Sequence, residues 1–177
     1  MATAHQTAGP YWHLIDFPAW ADVLRADGPN AGAQGERITI EGTITDGDGA
    51  LVTDAMVEIW HADPGGRYDA GFQGFGRCAT NAEGRFRFMT LKPGPVPGRG
   101  NTLQAPHVQV AIFARGLLSH VTTRLYFAGE ALNDTDPLLN LISTQRRATL
   151  IAEPASPGVW QLDIRLRGGA ETVFLDI

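Results

Sequence analysis

From residue 37 onward, hydrophobic and polar side chains alternate along most of this chain. Ile38, Ile40 and Ile44 face one way and Thr39, Glu41 and Thr43 the other, up to the turn signal Asp46-Gly47-Asp48-Gly49. A period of two places residues i and i+2 on the same side, so the stretch predicts a half-buried strand. The alternation returns with Ala55, Val57 and Ile59 against Met56, Glu58 and Trp60. Phe86 and Phe88 oppose Arg85 and Arg87 after a turn at Asn81-Ala82-Glu83-Gly84. Val108, Val110 and Ile112 oppose His107, Gln109 and Ala111, and Trp160, Leu162, Ile164 and Leu166 oppose Gln161, Asp163 and Arg165. Several short strands punctuated by turn chemistry predict an all-β fold, an antiparallel β-sandwich over residues 37–177.

Residues 1–36 break this pattern. Tyr11, Trp12, Phe17 and Trp20 are scattered without a period, which suggests an arm rather than a core element. Disordered segments are poor in aromatics, so the arm is expected to pack on the sandwich and on a partner chain. A short helix is expected from about Pro18 to Arg25, with proline in its first turn. A second is expected over 136–142, with Asp136 as cap and Pro137 in the first turn. The longest irregular stretch, 92–106, holds four prolines and three glycines. It is too long for a plain hairpin, and long ordered loops are often functional. No repeat or second domain is visible.

Composition narrows the function classes. At 177 residues the chain can bury one substantial core. It has no run of 18 apolar residues for a membrane span, and no basic-then-apolar leader at its N-terminus. A net charge of −5 argues against a broad nucleic-acid surface. The single cysteine, Cys78, cannot make an internal disulfide and reads as a buried small apolar residue. That usage suits a reducing cytoplasm. Lys92 is the only lysine, so the positive charge is almost all arginine, the better partner for carboxylates.

Candidate chemistry is concentrated in the long loop. Leu91-Lys92-Pro93-Gly94-Pro95-Val96-Pro97 is followed by Ala105-Pro106-His107-Val108-Gln109. This resembles the metal-binding signature of the intradiol ring-cleaving dioxygenases, in which Lys-Pro-Gly-Pro-Tyr precedes His-x-His. Here Val96 stands at the tyrosine position and Gln109 at the second histidine. The resemblance places another tyrosine ligand at Tyr68, after Trp60-His61-Ala62-Asp63. Tyr68 and His107 then survive from a set of four whose other positions, Val96 and Gln109, are degenerate. A neutral amide is a poor ligand for a hard ferric ion, and valine offers none. Gln104 replaces the family's arginine three residues before the first histidine, and Gly98 replaces a tryptophan. Taken alone, Tyr68 reads as a turn tyrosine and His107 as a hydrogen-bonded strand histidine.

The resemblance extends over the whole chain, through Gln6-Thr7-Ala8-Gly9-Pro10-Tyr11, Gly76-Arg77-Cys78-Ala79-Thr80, Thr123-Arg124-Leu125-Tyr126-Phe127 and Glu171-Thr172-Val173-Phe174-Leu175-Asp176. The pattern of loss matches the iron-free α-type chain of family members built from two homologous chains. It implies a prealbumin- or immunoglobulin-like sandwich in a higher-order α–β assembly. A β-type partner would carry Fe(III). The assembly would cleave 3,4-dihydroxybenzoate with O₂ to 3-carboxy-cis,cis-muconate. This chain would supply pocket walls from Thr7, Gly9, Pro10 and Tyr11, with Arg124 contacting the substrate carboxylate. Gly9 precedes proline and so favours extended backbone, which suits a wall segment. A guanidinium pairs well with a carboxylate, although an isolated strand arginine is ordinarily just exposed.

Two other readings compete. Residues 38–92 also resemble prealbumin-like sandwich repeats, which would make the chain a non-catalytic binding or structural module. Those repeats leave the N-terminal block and residues 120–177 unexplained. A self-sufficient dioxygenase would need a second loop tyrosine and a second histidine near His107. The chain has only three tyrosines, Tyr11, Tyr68 and Tyr126.

Overall fold

A computed structural model describes residues 17–68 and 71–176 of the chain. The expected alternation becomes strand β1 (Arg37–Thr45), whose Ile38, Ile40, Gly42 and Ile44 are buried in turn. Strands β2 (Met56–Trp60), β3 (Phe75–Ala79) and β4 (Arg85–Leu91) follow, and Arg85 and Arg87 of β4 are exposed beside buried Phe86 and Phe88. The long loop contains a two-strand ribbon, β5 (Val96–Pro97) with β6 (Leu103–Gln104). Then come β7 (His107–Phe113), β8 (Val121–Phe127), β9 (Ile151–Ser156), β10 (Val159–Gln161) and β11 (Ile164–Arg165).

The described residues form one nine-stranded sheet apart from the β5–β6 ribbon. It runs β1-β10-β9-β8-β7-β2-β3, with β4 on the other side of β1 and β11 continuing along β1. The terminal strands β4 and β3 come into contact, so the sheet curls into a nearly closed barrel. Its interior holds Ile40, Ile44, Val57, Ile59, Phe86, Phe88, Val110, Ile112, Leu125 and Phe127, drawn from five different strands. Burying each such side chain contributes about 1.5–3 kcal/mol, so curling is how the sheet removes its apolar face from water.

The all-β expectation holds, but the sheet is mixed rather than wholly antiparallel. Strands β10 and β11 run parallel to β1, and β9 runs parallel to β8. A parallel partner needs a long crossover, and residues 128–150 supply one between β8 and β9. The strand expected from Trp160 to Leu166 is broken in two. At the break, the Asp163 carboxylate accepts from the Thr43 N–H at 2.9 Å, taking the place of a backbone acceptor.

Both expected helices are shorter and tighter than read from sequence. Pro18–Ala21 is a 3₁₀ turn whose Trp20 packs edge-on against Phe75. Leu139–Leu141 is another, and Asp136 accepts from the N–H groups of Leu138 and Leu139 as the capping expectation required. A single α-helical turn, α1 (Thr144–Arg147), precedes β9. Cys78 is buried in the core. Among the described residues no helix is long and apolar enough to cross a membrane.

Candidate functional site

Strand pairing assembles the candidate residues before any side chain is considered. Trp60, Gln109 and Arg124 are consecutive partners across β2, β7 and β8, and His107 is paired with Tyr126 one step along. Paired residues share a face, so these five lie together on the side of the sheet away from the main core. His107 is nevertheless 1% exposed. A second apolar cluster of Ala105, Tyr126, Leu139 and Leu150 covers that end of the sheet.

Two loops bring Tyr68 and Val96 to this face. The Asp63 carboxylate accepts from the N–H groups of Gly65 (2.9 Å) and Arg67 (2.8 Å), closing the turn before Tyr68. The Asp63 carbonyl accepts from Gly94 N–H at 3.0 Å, tying this turn to the loop that carries Val96. Gly66 sits at φ 77°, and a Cβ there would lie 1.9 Å from the Pro95 carbonyl oxygen. Only glycine allows that approach. The Tyr68 ring stacks on Trp60 at 5.9 Å, leaving both rings partly exposed. Val96 is buried.

Arg124 lies at the centre of the group. Its Nη1 donates to Gln104 Oε1 at 2.8 Å and to the Tyr126 hydroxyl at 3.3 Å. Its Nε is buried without a hydrogen-bond partner among the described residues. The Tyr126 hydroxyl donates to Asp136 Oδ1 at 3.2 Å, and Asp136 Oδ2 accepts from Ala105 N–H at 2.8 Å. The Ala105 carbonyl in turn accepts from His107 Nδ1 at 2.7 Å, since a carbonyl can only accept. The His107 proton therefore sits on Nδ1, and Nε2 carries the lone pair.

Burial pushes the His107 pKa down to about 4, and the Arg124 charge adds to that push. Burial also holds the Tyr126 and Tyr68 phenols above their ordinary range, against a smaller opposing pull from Arg124. Near neutral pH the site therefore offers a neutral imidazole, two protonated phenols and one fixed guanidinium. His61, with Nδ1 on the Ala62 carbonyl and Nε2 on Thr90 Oγ1, is likewise pushed down to about 4 by burial.

The donor set does not fit a ferric ion. Val96 has no ligand atom, Gln109 offers only an amide, and Tyr68 is held towards its protonated form. Among the described residues no group of three or more His, Cys, Asp or Glu side chains converges. What the face can do is hold an anion, through Arg124, against the Trp60–Tyr68 aromatic shelf.

Of the residues singled out in the sequence, the structure brings together Tyr68, His107, Gln109 and Arg124, with Val96 tied in through its loop. Thr7, Gly9, Pro10 and Tyr11 lie outside the described residues. The sequence marked Gln104 as a replaced arginine of the site, but it gave Asp136 only a capping role and did not connect it to the site. Tyr126 carried a signal, being two residues beyond Arg124 on the same strand face. Gln104 accepts a hydrogen bond from the Arg124 guanidinium of β8.

A dioxygenase family model matches residues 8–158. The chain belongs to the intradiol dioxygenase family. It is 38% identical over 195 residues to the protocatechuate 3,4-dioxygenase alpha chain of Burkholderia cepacia, covering 99% of this chain and 97% of that one. The beta chain of the same enzyme from the same organism is 34% identical over 154 residues, covering 76% of this chain and 66% of that one. Among solved structures, it is similar to the dioxygenase domain of a dioxygenase carbohydrate-binding protein fusion from Streptomyces sp. SirexAA-E. That likeness has a TM-score of 0.67 at 29% identity, over 96% of this chain and 100% of the other.

Proposed function

We infer that this chain is the alpha chain of a protocatechuate 3,4-dioxygenase. The observation that carries the inference is the contrast in coverage: an alpha chain matches end to end, whereas a beta chain matches three-quarters of the length. The donor set agrees, since a chain that leaves the iron to its partner has no need of ligands at 96 and 109. In this reading the homologous β subunit carries Fe(III), and the two chains assemble into a higher-order α–β oligomer in the cytoplasm. The reaction opens the ring of 3,4-dihydroxybenzoate between its two hydroxyl-bearing carbons. Both atoms of O₂ enter the product, 3-carboxy-cis,cis-muconate.

This chain contributes recognition rather than redox chemistry. Arg124 holds or steers the substrate carboxylate, supported by a guanidinium whose Nε has no partner among the described residues. Thr7, Gly9, Pro10 and Tyr11 form pocket wall within an arm spanning residues 1–36, which packs on the 37–177 sheet and on the partner chain. The partly exposed Trp60 and Tyr68 rings suit a face that a partner covers. The curled sheet is read as the two facing halves of a prealbumin-like sandwich. A stand-alone binding module is set aside because the family match runs from residue 8 to residue 158, far beyond the 38–92 region that suggested it.

Co-expression with a β-type chain tests this. Oxygen uptake with protocatechuate is expected from the co-purified pair and not from this chain alone. Uptake by this chain alone, or a β-type chain whose rate and assembly ignore its presence, would overturn the assignment.

A further inference from the structure

We propose that Gln104 and Tyr126 are positioning residues for substrate: they occupy both N–H groups of Arg124 Nη1 and leave the Nε–Nη2 edge to receive the substrate carboxylate. The proposal deepens the reading of Arg124 as the carboxylate contact and rests on it.

A guanidinium can meet a carboxylate end-on, through Nη1 with Nη2, or side-on, through Nε with Nη2. Nη1 carries two N–H groups, and each has an acceptor here. Gln104 Oε1 takes one at 2.8 Å and the Tyr126 hydroxyl takes the other at 3.3 Å. The end-on edge is thereby closed. Among the described residues both hydrogen bonds of the guanidinium run from Nη1, and Nε is buried without a partner. Buried donors are almost always satisfied, so an Nε held in this way points to an acceptor supplied from elsewhere. One carboxylate oxygen on Nε and the other on Nη2 complete the side-on fork.

Both acceptors are themselves fixed. The Gln104 amide lies between two partners: its Nε2 donates to the Pro97 carbonyl at 3.4 Å, which leaves Oε1 for Arg124. The Tyr126 hydroxyl donates to Asp136 Oδ1 at 3.2 Å, so its lone pairs are available to Nη1. Asp136 is anchored in turn by the N–H groups of Ala105, Leu138 and Leu139. The arginine that the family signature carries at position 104 could not serve in this way, because a guanidinium has no acceptor. Glutamine supplies one.

The test uses the co-purified α–β pair carrying Gln104→Met, Tyr126→Phe or Arg124→Ala, or either of the first two combined with Arg124→Ala. Gln104→Met keeps the length of the side chain without the acceptor, and Tyr126→Phe keeps the ring without the hydroxyl. Steady-state oxygen uptake gives kcat and KM for protocatechuate. Competition gives the inhibition constant of catechol, the same diol without the carboxylate. Gln104→Met and Tyr126→Phe are each expected to raise KM about threefold to tenfold, the loss of one hydrogen bond, with kcat falling far less. The catechol constant is expected to move by a much smaller factor. In the Arg124→Ala background neither substitution should add a further rise, because residues acting through one group are not additive. An unchanged KM for Arg124→Ala overturns the reading of Arg124 and the proposal with it. A raised KM there, with either Gln104→Met or Tyr126→Phe matching the parent, overturns the positioning role and leaves that reading intact. Equal weakening of protocatechuate and catechol, or full additivity with Arg124→Ala, assigns the two side chains to the fold and likewise overturns the positioning role. Should Tyr126→Phe fail to assemble, Gln104→Met, on the partly exposed β5–β6 ribbon, decides by itself.

Discussion

In the role proposed for Arg124, removing its guanidinium from the assembled enzyme bears on the substrate carboxylate before it bears on the chemistry. A hydrogen bond to a charged group contributes about 1.5–3 kcal/mol. Arg124→Ala is therefore expected to raise KM for protocatechuate about tenfold or more while kcat changes little, measured by steady-state oxygen uptake. An unchanged KM would remove Arg124 from recognition. The two buried histidines make a different prediction. Burial pushes both down to about 4, below the ordinary imidazole value of 6.5, so the unfolded chain binds protons that the folded chain refuses. Stability is then full above about pH 6.5 and is lost as pH falls from there towards 4. Urea midpoints should drop steeply across that window, and His61→Gln should flatten part of the fall. A flat profile would show that the two rings are not held neutral. Arginine and histidine identities were legible in the sequence, but their environment was not. The Gln104–Arg124–Tyr126–Asp136 chain draws on three separate segments, and no local pattern reports such a meeting.

At the scale of elements, alternation was a good guide wherever one strand face enters the core. β1, β4 and β7 follow it closely because Ile40, Phe88 and Ile112 are fully buried while their neighbours are not. His107 shows where the guide runs out. It lies on the polar side of its strand and is still buried, because Leu139 and Leu150 arrive from a distant crossover. The 160–166 strand failed for a local reason: Asp163 replaces a backbone acceptor, and periodicity carries no trace of that bond. Asp136 does more than its expected capping role, fastening the Leu139–Leu141 turn, the Ala105 backbone and Tyr126 together. Each buried donor left without an acceptor costs about 1–3 kcal/mol. Asp136→Ala is expected to lower stability by about 3 kcal/mol or more in urea unfolding, with the Tyr126 ring environment altered. A loss under about 1 kcal/mol would mean the network is not holding the crossover against the sheet.

Seen as a whole molecule, the chain keeps a curled sheet and folded loops, while Val96 and Gln109 stand where the proposed reading places two of the family's metal ligands. The frame persists because its requirements are distributed over many core positions, Gly66 and the Asp63 turn, whereas the ligand set depends on a few side chains. That is also why the family was readable from sequence and the mixed strand pairing was not. Motifs travel with short segments, but parallel partners such as β1 with β10 depend on how distant segments return. The proposed division of labour with a β subunit has its plainest consequence in metal content. The most direct measurement is the iron content of this chain purified by itself, by elemental analysis. A value near zero, in a folded and colourless protein, is the result expected here. A value near one ferric ion per chain, with red tyrosinate-to-iron absorption, would mean a complete iron site and would contradict the account.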